Sequence, residues 1–178
     1  ILDGVASDNM HYGDYAILYR TNAQSATIER TFVKSGIPYK IVGGTRFYER
    51  KEIKDILAYM FLVHNTTDDL RLLRIINEPK RKIGQATVDN LKAIAASLDT
   101  SIFEAAKQSA YYSETLRAST KLLEFVALIE HLKELSATIP LSQLISEISV
   151  KSGYIAMLEA ENTEESKDRI NNIAELVS

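Results

Sequence analysis
The chain has 178 residues, 46% of them apolar and 25% charged, with a net charge of −3 and no cysteine. That length suits one domain or two small ones sharing an interface, and the composition excludes disordered and fibrous classes. Disulfide frameworks and thiolate metal sites are excluded too, a reducing cytoplasm is the expected compartment, and no apolar run approaches the ~20 residues that span a bilayer.

In chain order, YAILY at residues 15–19 reads as a buried central strand, bounded by Gly13-Asp14 and Thr21-Asn22. Residues 25–35 read as a helix with Ser25 as N-cap, Gly36 as stop, and Ile28, Phe32 and Val33 on one face. IPYKIVGG follows as a second strand closed by Gly43-Gly44, which makes a parallel strand–helix–strand unit of about 30 residues. Beyond Gly44 the periodicity is helical. Ile53, Ile56, Leu57, Met60 and Val63 mark one buried stripe, and residues 69–76, 87–98 and 102–108 give shorter helices. A long helix is expected over residues 113–136, with Leu116, Leu122, Leu123, Val126, Ile129, Leu132 and Leu135 inward. Another runs from Pro140 to Gly153, and a last one begins at Lys167. The fold class is therefore α/β but mostly helical, with a candidate boundary near residue 112 between α/β character and a purely helical part.

Chemistry narrows by elimination. His11, His64 and His131 show no metal-ligand spacing, so no metal site is expected. Asp68-Asp69 sits where a helix start wants negative charge, and Gly43-Gly44 is followed by no Gly-Lys-Ser/Thr phosphate loop. The chain begins at Ile1 without methionine and stops at Ser178 after an amphipathic pattern, which reads as a piece of a larger protein.

One stretch differs in kind. EPKRKIGQ at residues 78–85 carries Lys80, Arg81 and Lys82 before a glycine that opens a helix. From residue 70 to 92, six cations face two anions, whereas residues 159–175 are acidic and read as a solvated helical surface. Free N–H groups at a helix start, with Gly84 allowing close approach, suit an anion such as a nucleic-acid phosphate. A solvated loop kept soluble by its lysines is the other reading of the same residues.

YAILYRTNAQS, GGTRFYERKEIKD and NEPKRKIGQATVD, in that order and spacing, resemble the UvrD/PcrA-type superfamily 1 DNA helicases over essentially the whole chain. The resemblance implies a partial RecA-like parallel βαβ unit in residues 1–112, the first part of the second motor domain, and part of its inserted helical subdomain in residues 113–178. It implies that Tyr19 stacks on the adenine of ATP and that Arg20 reaches the γ-phosphate. The phosphate loop and the Mg²⁺-binding acids would belong to the other motor domain. Arg46, Phe47 and Arg50 match a motif near the single-strand track, although Phe47 also reads as helix-start packing. By the same resemblance Lys80, Arg81, Lys82, Gly84 and Thr87 hold the DNA backbone, and Lys151, Ser152, Gly153 and Tyr154 match a helix-turn-helix element on duplex DNA. Gly153 and Tyr154 equally read as a helix cap and a packed aromatic.

Two departures stand out: Lys82 replaces a family glycine, and Ala26 replaces a family arginine. The function implied is ATP-driven 3′-to-5′ translocation on single-stranded DNA that unwinds duplex, in repair or replication and with repair or replication proteins as partners. The piece alone would be inactive. A non-enzymatic helical module binding a protein partner is the alternative, and a nuclease-fused relative a third reading.

Overall fold
The computed structural model describes residues 1–7, 10–20, 22–42, 44 and 46–177, with Ser7, Asn22 and Ala23 described by their backbone alone. Helix α1 (Leu2–Ser7) leads to a 3-10 turn at Tyr12–Asp14, where the His11 N–H donates to the Asp14 carboxylate at 2.7 Å. The chain is irregular over residues 15–19, forms α2 (Asn22–Lys34), stops at Gly36 with φ +65°, and is irregular again over residues 37–41. Among the described residues no β ladder forms, so the expected strand–helix–strand unit appears as a helix between two irregular runs. An apolar run signals a taste for burial, but a strand exists only when its N–H and C=O groups find a partner strand. Here Leu18 in the first run and Val42 just after the second are 96% and 86% exposed, although Ile37 is buried, so each run is only partly covered. Gly43, expected to close the second run, lies outside the described residues.

The helical remainder follows the periodicity more closely. After a 3-10 turn at Phe47–Glu49 come α3 (Lys51–His64), α4 (Asp69–Ile75), α5 (Gln85–Ser97) and α6 (Ile102–Lys107). Asp68 caps α4 by accepting from the Arg71 N–H at 3.1 Å, and the Asp69 carboxylate accepts from the Ile102 N–H at 2.9 Å, so this acidic pair serves helix ends. The expected long helix is broken into α7 (Ser113–Leu116) and α8 (Ser119–Ser136). Thr115 explains the break: its hydroxyl donates to the Ser109 carbonyl at 2.7 Å, and its own carbonyl closes a turn onto the Ala118 N–H. Leu116 consequently turns outward, 55% exposed.

Helix α9 (Leu141–Lys151) ends where expected, but α10 (Tyr154–Glu161) follows at once and α11 (Glu164–Val177) starts three residues earlier than the spacing predicts. Gly153 at φ +81° and Asn162 at φ +46° make the two corners. The α10 sequence YIAMLEAE is apolar nearly all round, so it offers no stripe by which a periodic reading could find it.

Helix α3 is the axis of the packing. It touches α4, α8, α9 and α11, and one apolar cluster joins its Ile56, Tyr59 and Leu62 to Leu72, Phe103, Phe125, Ile129, Ile148, Tyr154 and Ile173. Each such fully buried side chain contributes about 1.5–3 kcal/mol through apolar area removed from water. The cluster draws on residues both before and after position 112. Ala26, Phe47 and Ile53 form a second, small cluster, which explains why a methyl stands at position 26: the site is closed and apolar, and an arginine there would need a partner.

Candidate nucleic-acid interface
The basic turn is built around one side chain. The Asn77 amide oxygen accepts from the N–H groups of Arg81 at 3.0 Å and Ile83 at 3.3 Å, while its NH₂ donates to the Ile83 carbonyl. Ile83 is 1% exposed and anchors the loop in the core, with a cis bond at Glu78-Pro79 on the entering side. Lys82 sits at φ +61°, so the lysine adopts the backbone conformation a glycine would favour, at about 1 kcal/mol for an L side chain.

Its consequence is an open helix start. Gly84 is the N-cap of α5, no side chain caps it, and a Cβ placed there would meet nothing within 4 Å. Lys80, Lys82 and Gly84 are all exposed, and Thr87 is half-buried one turn along. The α5 start thus offers free N–H groups and the positive end of the helix dipole to solvent, and the two lysines that precede it in the chain are exposed as well.

Arg81 points the other way. Its Nη1 donates to the carbonyls of Ile75 at 3.0 Å, Ile76 at 3.4 Å and Pro79 at 3.2 Å, and its Nη2 donates to the Tyr59 hydroxyl at 2.6 Å and the Ser152 carbonyl at 3.2 Å. The guanidinium also lies over the rings of Tyr59 and Phe125, at 5.8 and 5.2 Å from their centres. The expected phosphate ligand is therefore engaged inside the protein. The contact with Ser152 brings the basic turn against the α9–α10 corner, two segments 71 positions apart in sequence.

At that corner Lys151 is exposed and pairs with Glu147 at 3.4 Å, Ser152 is buried, and Gly153 makes the left-handed turn. Tyr154 is fully buried, its hydroxyl donating to the Asp55 carboxylate at 2.8 Å. Asp55 also pairs with Lys51 at 3.0 Å and Arg74 at 2.8 Å, and Lys51 reaches Glu78 at 2.9 Å, which ties the turn's first residue to α3. Burial lowers the Lys51 pKa, but the hydrogen bonds with Glu78 and Asp55 outweigh it and leave the value raised.

Tyr59, which links Arg81 to the Glu78 carbonyl through a 2.8 Å hydrogen bond, has its phenol pushed up to about 12 by burial, with the Arg81 charge pulling the other way. Burial raises Tyr154 as well. The neutral phenols are the forms the fold holds, and an unfolded tyrosine ionises near 10. Stability is therefore complete below about pH 10 and falls as pH climbs from 10 towards 12, by up to about 1.4 kcal/mol per pH unit for each such phenol. Urea unfolding at pH 9 and pH 11 checks this: Tyr59→Phe is expected to shrink the alkaline loss, and an identical loss in both proteins would contradict it.

The second nominated cluster divides in a similar way. Arg46 is exposed, its guanidinium 5.9 Å from the Tyr39 ring centre, whereas Phe47 is 1% and Arg50 7% exposed. The Glu29 carboxylate accepts from the Phe47 N–H at 3.1 Å, the Ser25 hydroxyl at 2.9 Å and the Tyr39 hydroxyl at 3.3 Å. Arg50 donates to Ser25 Oγ at 2.7 Å and Asn172 Oδ1 at 2.8 Å, and Asn172 donates to Glu52 at 2.6 Å. Burial pulls the Arg50 guanidinium below its ordinary pKa, opposed by the charges of Glu29 and Glu52. Ser25 is thus a buried member of this network inside α2 rather than the cap of the helix.

Tyr19 and Arg20 stand elsewhere, on the wall of a cleft of about 880 Å³. Both irregular runs line it, together with Ile28, Glu29 and Phe32 of α2. Tyr19 is 37% exposed, Arg20 is exposed, and the Arg20 N–H donates to Gln24 Oε1 at 3.0 Å. An aromatic ring and a cation thus stand side by side in sequence on the wall of one cleft.

The profile of the UvrD-like helicase C-terminal domain matches residues 2–178. The chain belongs to that family. Among curated relatives, the ATP-dependent DNA helicase PcrA of Staphylococcus aureus is 43% identical over 167 residues, covering 94% of this chain. The PcrA of Staphylococcus epidermidis is 41% identical over a span of the same length. The chain spans 23% of the length of these relatives.

In this UvrD-like domain the residues that hold the site in shape are ones the sequence reading did not nominate: Asn77, Tyr59, Asp55 and Glu29. Asn77 had a local signal, an Asx residue just before Glu78-Pro79, since such side chains commonly wrap the following turn. The other three had none, because the contacts that tie them to the rest of the site, Tyr59 to Arg81, Asp55 to Tyr154 and Glu29 to Phe47, span 22, 99 and 18 positions.

Proposed function
We propose that this UvrD-like domain forms part of an ATP-dependent DNA helicase that moves 3′ to 5′ on single-stranded DNA and unwinds the duplex ahead. The observation that carries the reading is the uncapped α5 N-terminus at Gly84, just after exposed Lys80 and Lys82 in the chain. It is an anion site that a sugar-phosphate backbone fills without regard to sequence, and the PcrA relatives name the polymer. Residues 1–112 act as the first part of a RecA-like motor domain, in which the irregular runs at 15–19 and 37–41 join a parallel sheet with further strands. Residues 113–178 act as part of the inserted helical subdomain. Tyr19 and Arg20 meet ATP across the cleft wall, Tyr19 on the adenine and Arg20 on the developing phosphate charge. The remaining phosphate contacts and Mg²⁺ belong to another motor domain. Arg46 serves the single strand and Lys151 the duplex, with Phe47, Arg50, Ser152, Gly153 and Tyr154 shaping those surfaces from within. Such a protein works on cytoplasmic DNA alongside repair or replication proteins.

The test uses the 178-residue chain. Fluorescence anisotropy with a labelled single-stranded oligonucleotide is expected to show binding that weakens steeply between 50 and 200 mM salt, roughly tenfold or more. The same preparation is expected to show no Mg²⁺-ATPase. Binding indifferent to salt would favour a protein-binding module, and ATP turnover that survives removal of contaminants would overturn the division of the nucleotide site.

A further inference from the structure
Arg81 is the central letter of the basic run, and its geometry does not suit a phosphate ligand. Both terminal nitrogens are directed at protein acceptors, five in all, and both neighbouring aromatic faces are occupied by the same guanidinium. Two of the acceptors, Ile75 and Ile76, are carbonyls at the end of α4, at its negative pole, the first of them also accepting from the Glu78 N–H at 3.0 Å. One is the Ser152 carbonyl at the α9–α10 corner, next to exposed Lys151. A guanidinium is planar and always charged, and it can serve several fixed acceptors at once. Lysine, with a single ammonium, cannot span that set.

Resting on the reading above, we infer that Arg81 is a positioning residue: it fastens the basic turn to the α9–α10 corner. Lys80, Lys82 and the α5 N-terminus thereby meet DNA in fixed register with Lys151. The cations that touch phosphate are then the ones beside it in sequence, and Arg81 acts on binding only through their placement. Lys82 in its left-handed conformation is the part most dependent on this clamp, because the strain at that residue persists only while Asn77 and Arg81 hold both sides of the turn.

The test measures binding of a fluorescein-labelled forked duplex with a 3′ single-stranded tail, as a function of salt, for the chain and its Arg81→Lys and Arg81→Ala variants. Both variants are expected to bind about five- to tenfold more weakly, Arg81→Lys as poorly as Arg81→Ala, because the retained charge alone cannot hold the turn. A lost phosphate ligand would instead leave Arg81→Lys close to the parent in both affinity and salt slope. That result overturns the inference. A double-mutant cycle gives the second readout: Lys151→Ala is expected to weaken binding clearly in the parent and much less in Arg81→Lys, because register is already lost. Strict additivity of the two substitutions also overturns it.

Urea midpoints are recorded alongside. If Arg81→Ala does not fold, Arg81→Lys and Tyr59→Phe, which removes the hydroxyl that accepts from Arg81 and donates to the Glu78 carbonyl, carry the same measurements. If the unaltered chain shows no salt-dependent DNA binding, the helicase reading falls and the inference with it. If the chain binds, Lys82→Glu weakens binding, and Arg81 behaves as a phosphate ligand, only the inference falls.

Discussion

Arg50→Ala is expected to destabilise the protein by about 3–5 kcal/mol, the usual consequence of removing one partner from a buried charged network. For a chain of this size that corresponds to a melting temperature lower by about 10 °C. Arg50 lies beneath the surface with its guanidinium over the Phe47 ring at 5.2 Å, and it connects Ser25 of α2 to Asn172 of α11. Removing it leaves Glu29 and Glu52 buried, at 5% and 4% exposure, without the cation that offsets their charge. Burying the two carboxylates without a compensating charge is unfavourable, and bringing water inside to serve them costs packing. Arg50→Lys keeps the charge but cannot reach Ser25 and Asn172 together, so about half of the loss is expected. Urea unfolding measures both variants. A loss below about 1 kcal/mol for Arg50→Ala would mean that water already supports the network and that α11 is held by apolar packing alone.

The double charge reversal Lys80→Glu/Lys82→Glu is expected to weaken single-stranded DNA binding about 10- to 100-fold at 0.1 M salt and to lower the salt slope by roughly 1.4. Two exposed lysines stand just before the free N–H groups of α5 in the chain, and each neutralised phosphate releases counterions to bulk solvent. Reversal removes both contacts and adds repulsion at the mouth of the site. The fold is expected to tolerate the change, since both side chains are exposed, with a urea midpoint little altered. Lys133→Glu, on the exposed face of α8, is the control and is expected to change affinity less than twofold. Equal losses in the control and the double variant would show that net charge, and not this turn, attracts the strand.

Much of the fold was legible because its signals are local. Apolar spacing found α3 through residues three and four apart, Asp68 and Ser101 sit at helix starts where short polar side chains belong, and Gly36 and Gly153 stop helices at positive φ. The misses share one cause. The irregular runs at 15–19 and 37–41 carry strand-like composition, but pairing is a property of two segments, and no partner strand is present among the described residues. The break after Leu116 depends on a hydroxyl reaching Ser109, and α10 lacks a polar face that would give it a period.

For the candidate site, the sequence by itself determined which residues carry charge, where a helix start would leave N–H groups free, and, through three short motifs, the UvrD-like family. Only the tertiary structure decided which of those charges face solvent. Lys80, Lys82 and Arg46 turn outward, while Arg81 and Arg50 turn inward to partners as far as 71 and 122 positions away. A cation's chemistry is written in its side chain. Whether that chemistry is spent on DNA or on the protein's own carbonyls depends on which acceptors packing brings within about 3 Å, and that is settled by the whole core at once.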